Sequence, residues 1–402
     1  MKLSEKIKRA IPIAIRLMRE RIAAVVSYRL ADKTMGKNAF KRKGYKKRVL
    51  MVTQPAAFKK KLPKYHTSLY EAFEVAKIFD SMGYIVDYTT DNNTRINLKP
   101  YDVIYGGRKV QAEVWRQNIS AKTIFFSPGA HPFYCFEATV QKNLQVRERE
   151  GRWLTTSSRY LNESLLGYYV DNFADHVIVY GNQYVLDQYL KYDSRKERYS
   201  LLPAFYFDCH QPDIASKDFD KVRHSMCWFG SLGLIHKGLD IAIDIALAHP
   251  EITLHICGAT KREREFWNYY GPLIKDKPNI IDHGFINIES QEFVEIMSQC
   301  AFMINPSISE GGAAAVLNVV ANGGLIPVVS KGTGLDLPAD ASYTIDDISY
   351  EAFEKVMLAA MKQPEKILRE QSEHVCAYIR EYHTLDLYRR NMSAILQSCL
   401  QK

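Results

Sequence analysis

From residue 48 onward, short apolar runs alternate with stretches of helical periodicity, in two successive series. A chain patterned this way has few folds open to it. The apolar runs become strands of a parallel sheet, and the periodic stretches become crossover helices that cover its faces. In the first series, residues 48–53, 84–88, 103–105, 123–126 and 176–180 read as strands. Helical spacing over 67–82, closed by Gly83, and over 161–169 supplies crossovers. Pro203 and Pro212 fall in a stretch of little periodicity over 201–213, which predicts a linker. The second series predicts strands at 226–229, 253–257, 280–282, 301–305 and 326–330. Helices at 238–248, 262–270, 291–298 and 313–321 lie between them. The predicted class is α/β, with two Rossmann-like domains over 48–205 and 223–377 facing a cleft. In open α/β sheets ligands bind beyond the carboxyl ends of the strands, so that cleft is the expected site.

The length agrees, since 402 residues at roughly 150 per domain make two domains and an appendage. Apolar residues at 47% and charged residues at 25% exclude a disordered or collagen-like chain. Seven cysteines, odd in number and without a C-x-x-C pair, indicate neither a disulfide framework nor a zinc site and fit a reducing, cytosolic compartment. No window offers the roughly 18 charge-free apolar residues of a membrane span, and a signal peptide is not expected.

The net charge of +9 is concentrated at one end: residues 1–48 carry +13, which leaves the rest at −4. Within the extension 1–47, Ile11, Ile15, Met18, Ile22 and Val25 recur at helical spacing, and Pro12 suits a first turn. A basic run from Lys41 to Arg48 follows. Two readings stand. The amphipathic helix and its basic cluster lie on the anionic inner face of a membrane, each cation adding on the order of 1 kcal/mol. Alternatively the helix packs on the protein's own body and the basic run is a solvated linker. Nucleic acid is not an expected partner, because no recognition module follows.

The chemistry is concentrated in the second series. Phe229, Gly230, Ser231 and Leu232 leave its first strand through a small-residue turn, and His236, Lys237, Gly238, Leu239 and Asp240 open a helix. Glycines there admit an anion to the backbone, and Lys237 adds a full charge to the positive end of the helix. Ordinary helix capping explains the same pattern. Further on, the stretch from Asn305 to Ala314 places Glu310, Gly311, Gly312 and Ala313 at the start of another helix. A carboxylate there can accept hydrogen bonds from paired sugar hydroxyls; equally, it is a favourable first-turn acid beside glycines that pack tightly.

The ordered set of F-G-S and H-K-G-L-D over 229–240, Ile256-Cys257-Gly258, His283-Gly284-Phe285-Ile286, Asn305-Pro306-Ser307 with Glu310-Gly311, Ala321-Asn322-Gly323-Gly324 and Pro327-Val328-Val329 resembles the donor-binding half of family 4 retaining glycosyltransferases, which have the GT-B fold. The match covers about 110 residues closely, each motif modest alone and the ordered set specific. The resemblance implies that Lys237 contacts the diphosphate of a nucleotide sugar, beside Gly230, Ser231 and Gly258. It implies that Gly284, Phe285 and Ile286 meet the base, that Glu310 holds donor hydroxyls, and that Gly311, Gly312 and Ala313 supply amides. His131, after a strand in the first series, resembles the family's histidine near the anomeric carbon; on residue type alone it is equally a satisfied loop histidine. Two positions depart from the family. Asn318 stands where a ribose-binding glutamate is usual, and Ser231 where an arginine is common. The Gly-Gly pair of the first loop is replaced by Gln54-Pro55-Ala56-Ala57-Phe58 and three lysines.

P-loop, serine-hydrolase, dinucleotide and H-E-x-x-H motifs are absent. Asp218 and Asp220 lie in a polar segment without a preceding strand and read as solvent-facing, so no metal and no cofactor are expected. The expected partners are a nucleoside diphosphate sugar and a saccharide or lipid-linked acceptor, in cell-surface polysaccharide or glycolipid assembly. Residues 378–402 read as a helix that packs back on the first domain. A non-catalytic nucleotide-sugar-binding subunit at the membrane surface is the alternative, favoured by Asn318 and Ser231.

Overall fold

The computed structural model describes residues 18, 35–59, 62–64, 66–154 and 173–401. The amphipathic stretch 11–25, apart from Met18, and the crossover expected over 161–169 lie outside the described residues. In chain order the first strands and helices are β1 Lys47–Val52, α1 Thr67–Ser81, β2 Tyr84–Thr89, β3 Val103–Tyr105, α2 Lys109–Arg116, β4 Lys122–Ser127, α3 Pro132–Glu150, β5 His176–Tyr180, α4 Gln183–Leu190 and β6 Tyr199–Leu202. Then come α5 Phe219–Val222, β7 Ser225–Phe229, α6 Leu239–Ala248, β8 Thr253–Cys257, α7 Arg264–Ile274, β9 Ile280–Gly284, α8 Gln291–Ser298 and β10 Phe302–Asn305. The chain closes with α9 Ala314–Gly323, β11 Ile326–Ser330, β12 Tyr343–Ile345, α10 Tyr350–Met361, α11 Glu365–Tyr382 and α12 Leu385–Gln401.

These strands build two six-stranded parallel sheets, ordered β2-β1-β3-β4-β5-β6 and β12-β11-β10-β7-β8-β9. The predicted α/β class and its two Rossmann-like domains are therefore correct. The reason is visible strand by strand: β10 and β11 are buried along their whole length, as strands covered by helices on both faces must be. Two compact units are formed, by residues within 1–62, 68–126 and 164–175 and by those within 63–67, 127–163 and 176–402.

In the first unit, β1 pairs in register with β2 and β3, and Leu50, Ile104, Val110 and Val114 close a core beside it. Arg42 clamps Asp80 with two hydrogen bonds of 2.7 and 2.6 Å, and Arg48 pairs with Asp87 at 2.5 Å. Two arginines of the basic run are thus tied to the body, while Lys41, Lys43, Lys46 and Lys47 are exposed.

In the second unit a core wraps the second sheet, with Trp228, Ile241, Phe302, Val328 and Phe353 fully buried. Helix α3, which sequence periodicity did not reveal, contributes Val146 to it. Lys142 of α3 is completely buried against Asp240 of α6 at 2.8 Å, and Arg149 reaches the same carboxylate at 2.7 Å. Burial pushes the Asp240 carboxyl up, and the two cations together outweigh that and hold it below the ordinary carboxylate range.

Two expectations are corrected. Residues 201–202 belong to β6, so the irregular connection starts later than predicted. The stretch 378–400 is not one helix: α11 ends at Tyr382, the backbone changes direction at His383, and the Thr384 hydroxyl accepts from Leu387 N to start α12. Asp218 and Asp220 are exposed, as expected, and Asp218 also caps the short α5 by accepting from Lys221 N at 3.1 Å. Beyond the break, Tyr388 packs on Tyr180 and Phe205, at ring separations of 6.4 and 4.8 Å, which seats α12 against the β5 and β6 region.

Candidate active site

β7 and β10 are hydrogen-bonded neighbours, with Met226 opposite Phe302 and Cys227 opposite Met303. Here the strand order reverses, since β8 and β9 follow on one side of the pair and β11 and β12 on the other. Crossovers from such a pair cover opposite faces and leave a crevice above the carboxyl ends. The loops that leave these two strands, 230–238 and 306–313, carry most of the predicted site.

The first loop is pinned at several points. Gly230 N–H donates to Cys257 O at 3.0 Å, and a Cβ at Gly230 would meet the Trp228 ring at 2.7 Å. Gly258, with φ +88°, presses its Cα against Gly230 O, where no side chain fits. The buried Glu263 carboxylate accepts from Gly233 N at 2.5 Å and Leu234 N at 3.2 Å, and Trp228 Nε1 donates to Lys237 O at 2.9 Å. Gly238, at φ +68°, then caps α6 beside Pro306. The second loop is stitched to the first: Ile308 N donates to His236 O at 3.0 Å, and the His236 ring lies 2.6 Å from Ser309 O. Glu310 N donates to Gly332 O at 2.7 Å.

The consequence is that Lys237 Nζ lies 3.6 Å from Glu310 Oε1, with the two side chains 20% and 15% exposed. Ser307 Oγ donates to the same carboxylate oxygen at 3.3 Å. An ammonium and a carboxylate at the mouth of a crevice, loosely paired and still in reach of solvent, can each turn to a ligand at little cost.

A cavity of about 290 Å³ opens beside them. Gly230, Ser231, Lys237 and Gly258 line its polar part, and Phe285, Ile286 and Ile288 its apolar part. Phe285 is 67% exposed. Gly284 sits behind this wall at φ +66° and accepts from Gly258 N at 2.5 Å. Asn318 also lines the cavity, but its carboxamide is engaged: Oδ1 accepts from Phe207 N at 2.8 Å and Nδ2 donates to Ala314 O at 2.7 Å.

The remaining predicted residues hold structural positions. Ala313 N–H is not open to a ligand, because it donates to Thr333 O at 3.0 Å, which corrects the expectation that it supplies an amide. Gly311 is required by packing, since a Cβ would come within 2.6 Å of Gly129 Cα and Tyr180 O. Gly312, at φ +59°, faces Ala204 in the same way. His131 is 2% exposed, caps α3 by accepting from Phe133 N at 3.2 Å, and stacks on Tyr192 at 4.5 Å. It does not line this cavity.

Sequence reasoning missed Lys64, His66 and Thr67, which line the cavity from the segment leading into α1. It also missed Glu263, which fixes the loop carrying Lys237. A lysine run before a helix gave the only hint of Lys64, and nothing in the sequence ties Glu263 to a turn thirty residues away.

Neither a family model nor a curated protein matches the sequence. Solved structures do. HepE of Anabaena, in complex with UDP and glucose, superimposes with a TM-score of 0.58 at 13% identity, over 88% of this chain and 100% of that one. Sucrose-phosphate synthase of Thermosynechococcus elongatus gives 0.62 at 12%, over 89% and 99%. A variant of S. aureus TarM, in complex with Fondaparinux, alpha-GlcNAc-glycerol and UDP, gives 0.50 at 12%, over 73% and 54%. At such identity the likeness establishes the fold, which is GT-B.

Proposed function

We propose that this chain is a glycosyltransferase that moves a sugar from a nucleoside diphosphate sugar to a hydroxyl acceptor, with retention and without a metal. The observation that carries the reading is the placement of Lys237 and Glu310, 3.6 Å apart, on the loops that leave the strand pair where the sheet order reverses. Neighbours of the same fold bind UDP together with sugars or glycosides, which supports a nucleotide sugar as the ligand class. Loss of the diphosphate leaves oxocarbenium character at the anomeric carbon and negative charge on the departing oxygens. Lys237, backed by the positive end of the α6 dipole, meets that developing charge, and a preorganised cation in a partly desolvated crevice stabilises it more than water does. Glu310 accepts hydrogen bonds from donor hydroxyls and so fixes the sugar against the leaving group. The acceptor attacks from the face the diphosphate leaves, and the diphosphate takes its proton. Phe285 and Ile286 offer the base an apolar wall. The acceptor is a saccharide or a lipid-linked glycan in polysaccharide or glycolipid assembly, reached from the cytoplasmic face of a membrane to which residues 1–48 attach the protein.

Nucleotide release from UDP-, GDP- and ADP-sugars, with and without lipid-linked acceptor and with and without chelator, tests this. One donor should turn over in the presence of chelator, and the anomeric configuration of the product, read by NMR, should match the donor. K237A and E310A should each lower turnover by about a hundredfold or more while leaving thermal unfolding unchanged. Near-normal rates in both variants would remove the site assignment. Asn318 favours the second reading, a nucleotide-sugar-binding subunit without turnover, because its carboxamide is already occupied by Phe207 and Ala314. Thermal stabilisation by nucleotide without any release would select it.

A further inference from the structure

Ser231 leaves the turn after β7 without the cation that the resemblance leads one to expect, and yet the cavity has a second ammonium. Lys64 lines it together with Lys237, Gly230 and Ser231, although Lys64 and Lys237 are far apart in the chain. We propose that Lys64 is the second cationic ligand of the donor diphosphate, supplied from the segment ahead of α1 in place of an arginine at position 231. The inference rests on the reading of this cavity as a nucleotide diphosphate site.

Three observations carry it. Lys64 and Lys237 both line a cavity of about 290 Å³, small enough for the two side chains to reach one ligand. Two cations beside one small cavity repel each other, and each is offset only loosely, Lys237 by Glu310 and Lys64 by Glu289, both at 3.6 Å. Lys64 itself is held weakly, 3.6 Å from Glu289 Oε1 and 3.4 Å from Asp208 O, with the Lys64 and Glu289 side chains 34% and 43% exposed. A contact of that kind is worth little, so the ammonium can exchange it for a doubly charged pyrophosphate at a net gain. The arrangement also fits the sequence. Pro63 precedes Lys64 and limits the freedom of the segment, so less order is lost when its ammonium is placed on a ligand.

A cation on the distal phosphate distinguishes diphosphates from monophosphates, and that sets the experiment. Calorimetric titration of the full chain with UDP and UMP, GDP and GMP, and ADP and AMP identifies the preferred pair. For that pair, K64A should weaken the diphosphate about tenfold and the monophosphate by less than about twofold. K64R should restore most of the difference. K64A/S231R, which returns a cation to the turn after β7, should recover affinity that K64A lost. If the wild-type chain binds the diphosphate and K64A keeps its full preference over the monophosphate, the inference is wrong and the reading of the cavity survives. If the wild-type chain binds none of the six nucleotides, the reading itself fails and the inference with it.

Discussion

Asn318 shows why a motif position cannot be read from residue type alone. A carboxylate at that position could accept from Phe207 N but could not donate to Ala314 O, and its charge would face a carbonyl oxygen. The carboxamide does both and so joins α9 to the connecting segment, while Asn322, one turn on, accepts from Cys209 N and His210 N at 2.8 and 2.9 Å. The departure from the glycosyltransferase pattern thus has a structural cause. His255 and His283 make the second residue-scale point. Their rings stack at 5.2 Å with Nδ1 of the first 3.0 Å from Nε2 of the second, so one nitrogen must stay unprotonated. Burial, and then the neighbouring ring, push His255 down to about 4 from an ordinary 6.5. The folded state therefore binds fewer protons than the unfolded chain as pH falls below 6.5, and stability declines until the folded-state value near 4 is passed. Thermal unfolding between neutral pH and about pH 5 should show this loss, and H255Q should flatten the dependence. An unchanged slope in H255Q would assign the loss to other groups.

At the scale of elements, the contact of α3 with α6 is where stability and site position meet. Asp240 follows Lys237 by three residues, so the ion pairs with Lys142 and Arg149 fix the first turn of the helix that presents the proposed phosphate ligand. Breaking such a pair from one side leaves an uncompensated buried charge, whereas replacing both partners by apolar groups does not. D240N should lower unfolding stability by about 3–5 kcal/mol in denaturant titrations, and D240L/K142M should lose clearly less. Equal losses would show that shape rather than charge holds the two helices together. The same reasoning explains why α3 escaped the sequence. Its buried face includes Lys142, Asn143 and Thr139, polar residues that periodicity scores as exposed and that only their partners make fit for burial.

For the molecule as a whole, the charge is divided between an N-terminal extension and a mildly acidic body. Arg42 and Arg48 spend their charge on Asp80 and Asp87, and Lys41, Lys43, Lys46 and Lys47 project into solvent. Among the described residues no helix is long and apolar enough to cross a membrane. Deleting residues 2–34 should reduce sedimentation with vesicles containing anionic lipid, and moderate salt should do the same to the intact chain. Zwitterionic vesicles should bind neither form. Retention of anionic-vesicle binding after the deletion would place the contact elsewhere.

What could be read from the sequence was whatever depends on local pattern. The strands 253–257 and 326–330 and the helix 291–298 were legible to the residue, because apolar runs and 3.6-residue spacing act over one element and need no partner. That Lys237, Glu310 and the glycines around them sit on loops after strands was legible for the same reason. Contacts between distant segments were not. That Lys64 shares a cavity with Lys237, that Glu263 holds the turn at Gly233, that Ala313 spends its amide on Thr333 and that His131 is a buried cap are all set by which chain passes beside which. A hydrogen bond or an ion pair between distant residues leaves no period in the sequence, so only the folded chain decides it.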